Sequence, residues 1–386
     1  MTRRCCAVAL FSSAAMASTA AAGAAPGRLD RGLVDVAVLT PTSGAFAFHN
    51  DALAGGVSVA ADELNERGGI AGKVRVRLVR RPFGPRASAG SVIAGLPRGV
   101  RFVILPCDVQ KARQLAGAAS ARGLLVLAPC NPDPRSTLRL QRYWPIAMSG
   151  NQEAAGLVGY AASVGVRRAF LLTGSGAPAY ESALARYLRA SARRQGIRIV
   201  GSATPPAAGV GLAGVIGAVH RSRAEGLFTT SSSPAASDLI ASLRARDVLV
   251  PVFATDGMDA QLSLTRYSET ALKDVFIASF GFARPASERF YKDYKSSFGK
   301  VPIGSFPGLG LETVRTLAAA IEKAGSTDPS AVDRAFARGF TIAGVGLADR
   351  SYAGGRLPVA DVGIAEIIRG EYFPLVSRVP ESVPAP

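Results

Sequence analysis

Short apolar runs alternate along the chain with longer segments in which apolar residues return every three or four positions. Leu33–Leu39 reads as a first strand. Asp51–Glu66 places Leu53, Val57, Ala60, Ala61 and Leu64 on one helical face and stops at Gly68-Gly69, as a helix with a left-handed cap does. The cycle continues with strands over Val74–Val79, Phe102–Leu105 and Leu124–Leu127 and helices over Ser88–Leu96 and Val109–Ala121. Around Tyr143–Gly150 the chain pauses on Pro145 and Gly150, then starts again. Helices are predicted over Asn151–Val164, Ala179–Arg194 and Pro234–Arg246, and strands over Ala169–Leu172, Ile197–Val200, Gly226–Thr229 and Val252–Ala254. Three more helices (Ala286–Phe298, Gly308–Ala324, Ser330–Arg338) and two strand-like runs, Ala365–Arg369 and Tyr372–Val376 turning at Gly370, complete the pattern. Such alternation implies an α/β protein with parallel sheets covered by helices on both faces, in two halves of similar size.

Length agrees with that division: 386 residues suffice for two domains, each with its own core. An apolar share of 48% and a charged share of 19% exclude wholesale disorder. The first residues stand apart from the fold pattern. Arg3 and Arg4, the apolar and small-residue run Cys5–Ala22, and the exit Ala22-Gly23-Ala24 follow one another as in a secretory signal peptide, expected over residues 1–24. No later stretch reaches membrane-spanning length. The mature chain is therefore expected outside the cytoplasm, in the periplasm.

Export changes how charge and cysteine are read. The whole chain carries +17, and losing Arg3 and Arg4 would leave +15. The arginines are scattered and no nucleic-acid motif accompanies them, so a nucleic-acid partner is not expected. Anionic lipid headgroups, an acidic partner or plain solvent are the alternatives for such a surface. Cys107 and Cys130 each follow an apolar run, and in an oxidising compartment two such cysteines are expected to pair. Chemistry-bearing motifs are sparse. His49 and His220 are the only histidines, and they lie outside zinc-ligand spacing. Thr173-Gly-Ser-Gly after a strand has the look of a phosphate loop but lacks the rest of the dinucleotide fingerprint. No nucleophile–base–orienter set stands out, so no enzymatic role, cofactor or metal is expected.

Several stretches together resemble the branched-chain amino-acid binding proteins, the type I periplasmic receptors of ABC importers. They are Ala37-Val-Leu-Thr-Pro-Thr-Ser-Gly, then Asp51-Ala-Leu, then Asp62-Glu-Leu-Asn-Glu-Arg-Gly-Gly-Ile-Ala-Gly-Lys, followed by Tyr180, Thr255-Asp256-Gly257, Phe290–Phe298 with Gly299-Lys-Val-Pro, and Leu311–Gly325. Their shared order over most of the mature chain carries the likeness. The resemblance implies two doubly wound parallel-sheet lobes joined by three hinge crossings. The first lobe would take Leu33–Gly150 with Gly281–Phe340, and the second Asn151–Phe280 with Thr341–Pro386. Ligand would sit between the carboxyl ends of the two sheets.

The resemblance also implies site residues: Phe48 (with Phe46 beside it), Cys107, Asp108, Cys130, Asn131, Tyr180, Thr230 and Asp256. Asp108 is both an N-cap for its helix and a candidate contact. The family's carboxylate-gripping Ser and Thr are absent here, replaced by the neighbourhoods of Asp108 and Cys130. Asp108 and Asp256 would make an acidic cleft suited to a cationic or amide-bearing solute. The implied partners are the membrane permease and ATPase subunits of an ABC importer, with a monomeric receptor. A periplasmic ligand sensor serving a membrane receptor is the alternative, with an enzyme on the same fold behind it.

Overall fold

The computed structural model describes residues 29–386 apart from 45, 131–132, 207–211, 260–266, 300–303 and 354. The expected signal segment and the candidate Asn131 thus lie outside the described residues. In the first lobe, apolar runs become β1 (Gly32–Pro41), β3 (Val100–Ile104), β4 (Leu125–Ala128) and β5 (Tyr143–Pro145), and an alternating run with one face buried becomes the edge strand β2 (Val74–Phe83). They form a parallel sheet in the order β2-β1-β3-β4-β5. Helices α1 (Ala47–Glu66), α2 (Ala89–Ala94), α3 (Val109–Ala121) and the short α4 (Arg135–Arg139) connect them.

The second lobe is entered through α5 (Gly150–Ser163). Its strands β6 (Arg168–Leu172), β7 (Arg198–Ala203), β8 (Gly226–Thr229), β9 (Val252–Ala254) and β10 (Val275–Ser279) alternate with α6 (Pro178–Arg194), α7 (Leu212–Ser222) and α8 (Ala235–Arg244). The chain then returns to pack α9 (Glu288–Phe298) and α10 (Phe306–Ala324) on α1, with α11 (Pro329–Ala337) on α10. Close approach of α1 and α10 needs glycine. A Cβ on Gly56 would lie 2.1 Å from the Pro307 carbonyl oxygen, and one on Gly310 would lie 2.4 Å from that of Leu53.

A last passage adds β14 (Val362–Ile368) and β15 (Glu371–Arg378) antiparallel to β10, giving the order β15-β14-β10-β9-β8-β6-β7. On the way β11 (Thr341–Ile342), β12 (Arg350–Ser351) and β13 (Val359–Ala360) form a small three-stranded sheet. The crossings after β5 and after α11 are bound to each other. Tyr352 Oη donates to the Pro145 carbonyl at 2.7 Å, Trp144 stacks on Phe336 at 4.7 Å, and Trp144 Nε1 donates to Asp333 at 2.7 Å. Glu312 on α10 is fully buried, takes the N–H groups of Val345 and Gly346, and pairs with Arg350 at 2.5 Å.

The elements differ from the periodicity reading in a few places. Helix α1 starts at Ala47 rather than Asp51, and β2 runs on to Phe83. The periodicity predicts neither helices α4 and α7, nor strand β10 or the small sheet, and β5 falls where it reads a pause. Glycines at 214 and 217 dilute the helical signal of α7, whereas β10 is a five-residue strand buried along nearly its whole length and shows no alternation. Among the described residues no helix is long and apolar enough to cross a membrane.

Candidate ligand-binding site

Parallel strands deliver their following loops to one edge, so the carboxyl ends of each sheet gather the functional side chains. In the first lobe the loop after β1 brings Phe46 to the second lobe, where it meets Tyr180 edge-to-face at 5.3 Å in a small cluster with Leu184. Phe48 does not share that contact. It is 42% exposed and lines a cavity of about 330 Å³ with Asp51, Arg80, Tyr294 and Phe298, on the flank of the first lobe. Asn50 fixes the start of α1 to the next loop. Its Nδ2 donates to the Phe46 carbonyl at 2.8 Å and its Oδ1 accepts the Cys107 N–H at 2.8 Å. Cys107, after β3, and Cys130, after β4, are joined by a disulfide with a Cα–Cα distance of 5.1 Å. Asp108 caps α3 by accepting the Lys111 N–H at 2.7 Å.

The second lobe contributes a buried acidic knot. Tyr180, in the first turn of α6, donates its hydroxyl to the Asp256 carboxylate and accepts the Gly257 N–H at 2.7 Å. The Asp256 N–H in turn donates to Glu153 at 2.7 Å, and Glu153 is itself buried in the first turn of α5. Burial pushes the Asp256 carboxyl up to about 6, against the hydrogen bond from Tyr180. Burial and the neighbouring Asp256 charge hold Glu153 well above the carboxylate range. The two acids thus favour one negative charge between them. Thr230, after β8, is fully buried, and its hydroxyl accepts the Gly174 N–H at 3.3 Å.

The loop Thr173-Gly-Ser-Gly carries its own anion. The buried Glu181 carboxylate accepts the Ala177 N–H at 3.0 Å and bonds the Ser232 N–H. A Cβ on Gly174 would lie 2.2 Å from a Glu181 oxygen. A phosphate in this nest would have to displace that carboxylate.

Sequence reasoning passed over Glu153 and His49. Glu153 had a faint signal, an acid in the first turn of the helix that follows the Pro145–Gly150 pause. His49 carries no local signal beyond falling outside zinc-ligand spacing. It is 3% exposed, sits among Phe46, Phe48 and Phe306, and neither ring nitrogen has a hydrogen-bond partner among the described residues. Burial lowers its pKa to about 4, so the ring is neutral near pH 7.

Known proteins agree with this architecture. A family model described as periplasmic binding protein matches residues 34–371. The Leu/Ile/Val-binding protein BraC3 of Rhizobium johnstonii is 27% identical over 107 residues, a match that takes in 28% of this chain and 29% of that protein. Among solved structures, the branched-chain amino-acid substrate-binding protein LivJ of Streptococcus pneumoniae, in complex with isoleucine, superposes with a TM-score of 0.76 at 17% identity, over 90% of this chain and 99% of that one. A leucine-binding protein LivK of Thermotoga maritima gives 0.74 at 18% identity over 90% and 99%. A solute-binding protein of R. palustris in complex with benzoate gives 0.73 at 15% identity over 90% and 97%. Sheet order, opposed loop edges and a family match over most of the length lead to one conclusion: the chain belongs to the periplasmic binding protein family.

Proposed function

We propose that this protein is the periplasmic receptor of an ABC importer, capturing a small solute between its lobes and closing on it by hinge motion without chemical conversion. In this reading the first lobe is Leu33–Gly150 with Gly281–Phe340 and the second is Asn151–Phe280 with Thr341–Pro386, with permease and ATPase subunits as partners. The observation that supports it best is the placement of Tyr180, Asp256 and Glu153 opposite Phe46 where the two sheet edges meet. One shared negative charge, deeply buried, is a costly arrangement unless a donor or cation arrives to use it. An ammonium or amide group supplies that donor. The isoleucine and benzoate named for the structural neighbours carry carboxylates, for which the present cleft offers the acid of Asp108 rather than a hydroxyl.

A thermal-shift screen of amino acids, amides, polyamines and aromatic acids tests the reading. A solute at 100 times its Kd should add about 2.7 kcal/mol of stability. Ammonium- or amide-bearing solutes are expected to stabilise the protein, and Asp256→Asn should remove the gain for cations while sparing neutral amides. Stabilisation by carboxylates or neutral lipids alone would discard the acidic-cleft assignment, and product formation during incubation would discard the receptor reading.

A further inference from the structure

The end of the second lobe opposite the candidate cleft carries the protein's charge in a concentrated form. Strands β6 to β9 all start there, and α6, α7 and α8 all finish there, because parallel strands and their return helices run in opposite directions. Arg193, Arg194, Arg198, Arg221, Arg223 and Arg246 are exposed at this end. None of the six forms an ion pair among the described residues. Hydrogen bonds show that the surface is continuous. The Arg198 N–H donates to the Arg167 carbonyl at 2.9 Å, Arg168 reaches the carbonyls of Ser222 and Arg223 at 2.8 and 3.2 Å, and His220 lies 3.4 Å from the Arg246 carbonyl.

Cations at helix C-termini are ordinary, since they complement the helix dipole. Arg244 and Arg246 serve that purpose, bonding backbone carbonyls of their own loop and helix. The guanidinium groups of Arg193, Arg194, Arg198, Arg221 and Arg223 take no hydrogen-bond partner among the described residues and are left over for something else. Of the acids at this end, Glu225 is committed to the backbone N–H groups of Arg167 and Arg168 at 2.7 and 3.0 Å, Asp247 follows Arg246 in its turn, and Asp274 acts on Arg244.

Two large aliphatic side chains emerge from the same surface. Val164, in the turn before β6, is 50% exposed, and Leu249, in the turn before β9, is 66% exposed. Leu249 is held outward because Arg244 binds the carbonyls of Val248 and Val250 on either side of it. Among the described residues no exposed aromatic accompanies them at these turns, and the exposed Phe373 stands apart on the edge strand β15, so the surface lacks the row of stacking rings that single-stranded nucleic acid requires. Unpaired arginines spread across a blunt end, with aliphatic tips between them, match the headgroup layer of a bilayer: phosphates meet the guanidinium groups and the tips enter the acyl boundary. A folded acidic protein would instead need a shaped, buried contact.

We propose that the cleft-distal end of the second lobe is a docking surface for the anionic headgroups of a phospholipid bilayer. Docking there leaves the cleft open on the opposite side, so membrane attachment and solute capture proceed together.

Co-sedimentation of the purified protein with vesicles tests this. Vesicles of phosphatidylcholine with about one-third phosphatidylglycerol should retain the protein at low salt and release it as salt rises, and pure phosphatidylcholine should not retain it. The triple variant Arg194→Gln/Arg198→Gln/Arg223→Gln should weaken binding about 100-fold. The equally charged control Arg75→Gln/Arg86→Gln/Arg113→Gln, on the first lobe, should leave it within about 3-fold, because charges beyond a Debye length of the bilayer are screened. Leu249→Ser should weaken binding measurably at unchanged net charge. All variants share one N-terminal segment, so differences among them report this surface. Equal loss in both triples, indifference to phosphatidylglycerol, or retention by polyglutamate resin but not by vesicles would each overturn the proposal.

Discussion

Two buried titratable groups of opposite sense sit in the candidate site, and their pH windows overlap. His49 has its pKa lowered from 6.5 to about 4, so it contributes stability above pH 6.5 that is lost as pH falls toward 4, up to about 3 kcal/mol. Asp256, raised to about 6, behaves the other way: its contribution is present below the unfolded value of 3.8 and is lost as pH rises through 6, again up to about 3 kcal/mol. Glu153, also raised, adds to the second effect. Urea-unfolding midpoints of the ligand-free protein should therefore fall as pH rises from 4 to 6, because the two raised acids outweigh the single lowered histidine. His49→Leu should steepen that fall, because it removes the one opposing group. Glu153→Gln/Asp256→Asn should unmask a fall with decreasing pH. His49→Leu should also raise stability at pH 5 by about 1–3 kcal/mol, because it removes two buried ring nitrogens that find no partner among the described residues. At this scale the sequence was only partly readable. Tyr180 and Asp256 stood out by their motifs, whereas Glu153 and His49 acquire meaning only from burial, which no local spacing encodes.

Elements carry the next level of stability. The disulfide joins the loops after β3 and β4 across 23 residues of sequence, and closing a loop of that length lowers the entropy of the unfolded chain by about 3 kcal/mol. Cys107→Ser/Cys130→Ser should lose about that much in chemical denaturation while keeping the α3 cap at Asp108. A second join is independent of it. The fully buried Asp259, just after β9, accepts from the Ser305 N–H at 3.3 Å and from the hydroxyls of Ser305 and Ser279, which places its carboxylate at the N-terminus of α10. Asp259→Asn, which keeps the shape but removes the charge, should cost about 1–2 kcal/mol, and Asp259→Ala about 3 kcal/mol because buried hydroxyls lose their acceptor. Element positions were largely legible because buried parallel strands and amphipathic helices differ in period. Strand β8, strand β9 and helix α3 fall where periodicity put them. Helix α7, with glycines inside it, and strand β10, with both faces buried, escaped for the same reason: their local pattern carries little contrast.

At the scale of the whole molecule, the order of motifs pointed to a two-lobed receptor, and the family match over residues 34–371 agrees. Ligand chemistry was less legible because it depends on which side chains from opposite lobes face each other. The lobes touch not only through Phe46 and Tyr180 but also at the rim, where Asp133 of the first lobe lies 3.2 Å from Tyr187 Oη and 3.6 Å from Arg186 of the second. Arg135 beside it holds the Asp133 carboxyl below the usual range against the cost of burial, so the acid remains charged and available to α6. If the lobes close on solute by the hinge motion proposed above, these rim contacts would form only in the closed arrangement and would bias the balance toward it. Asp133→Ala should therefore shift the ligand-free equilibrium toward open forms by about 1–2 kcal/mol, a factor of roughly 5 to 30. Small-angle scattering should show a larger radius of gyration for the free variant and the wild-type value at saturating solute. Apparent affinity should fall by the same factor by which the closed fraction falls, since only that fraction binds productively. An unchanged free radius combined with weaker binding would mean that Asp133 contacts the solute itself, and the rim would then belong to the site rather than to the hinge balance.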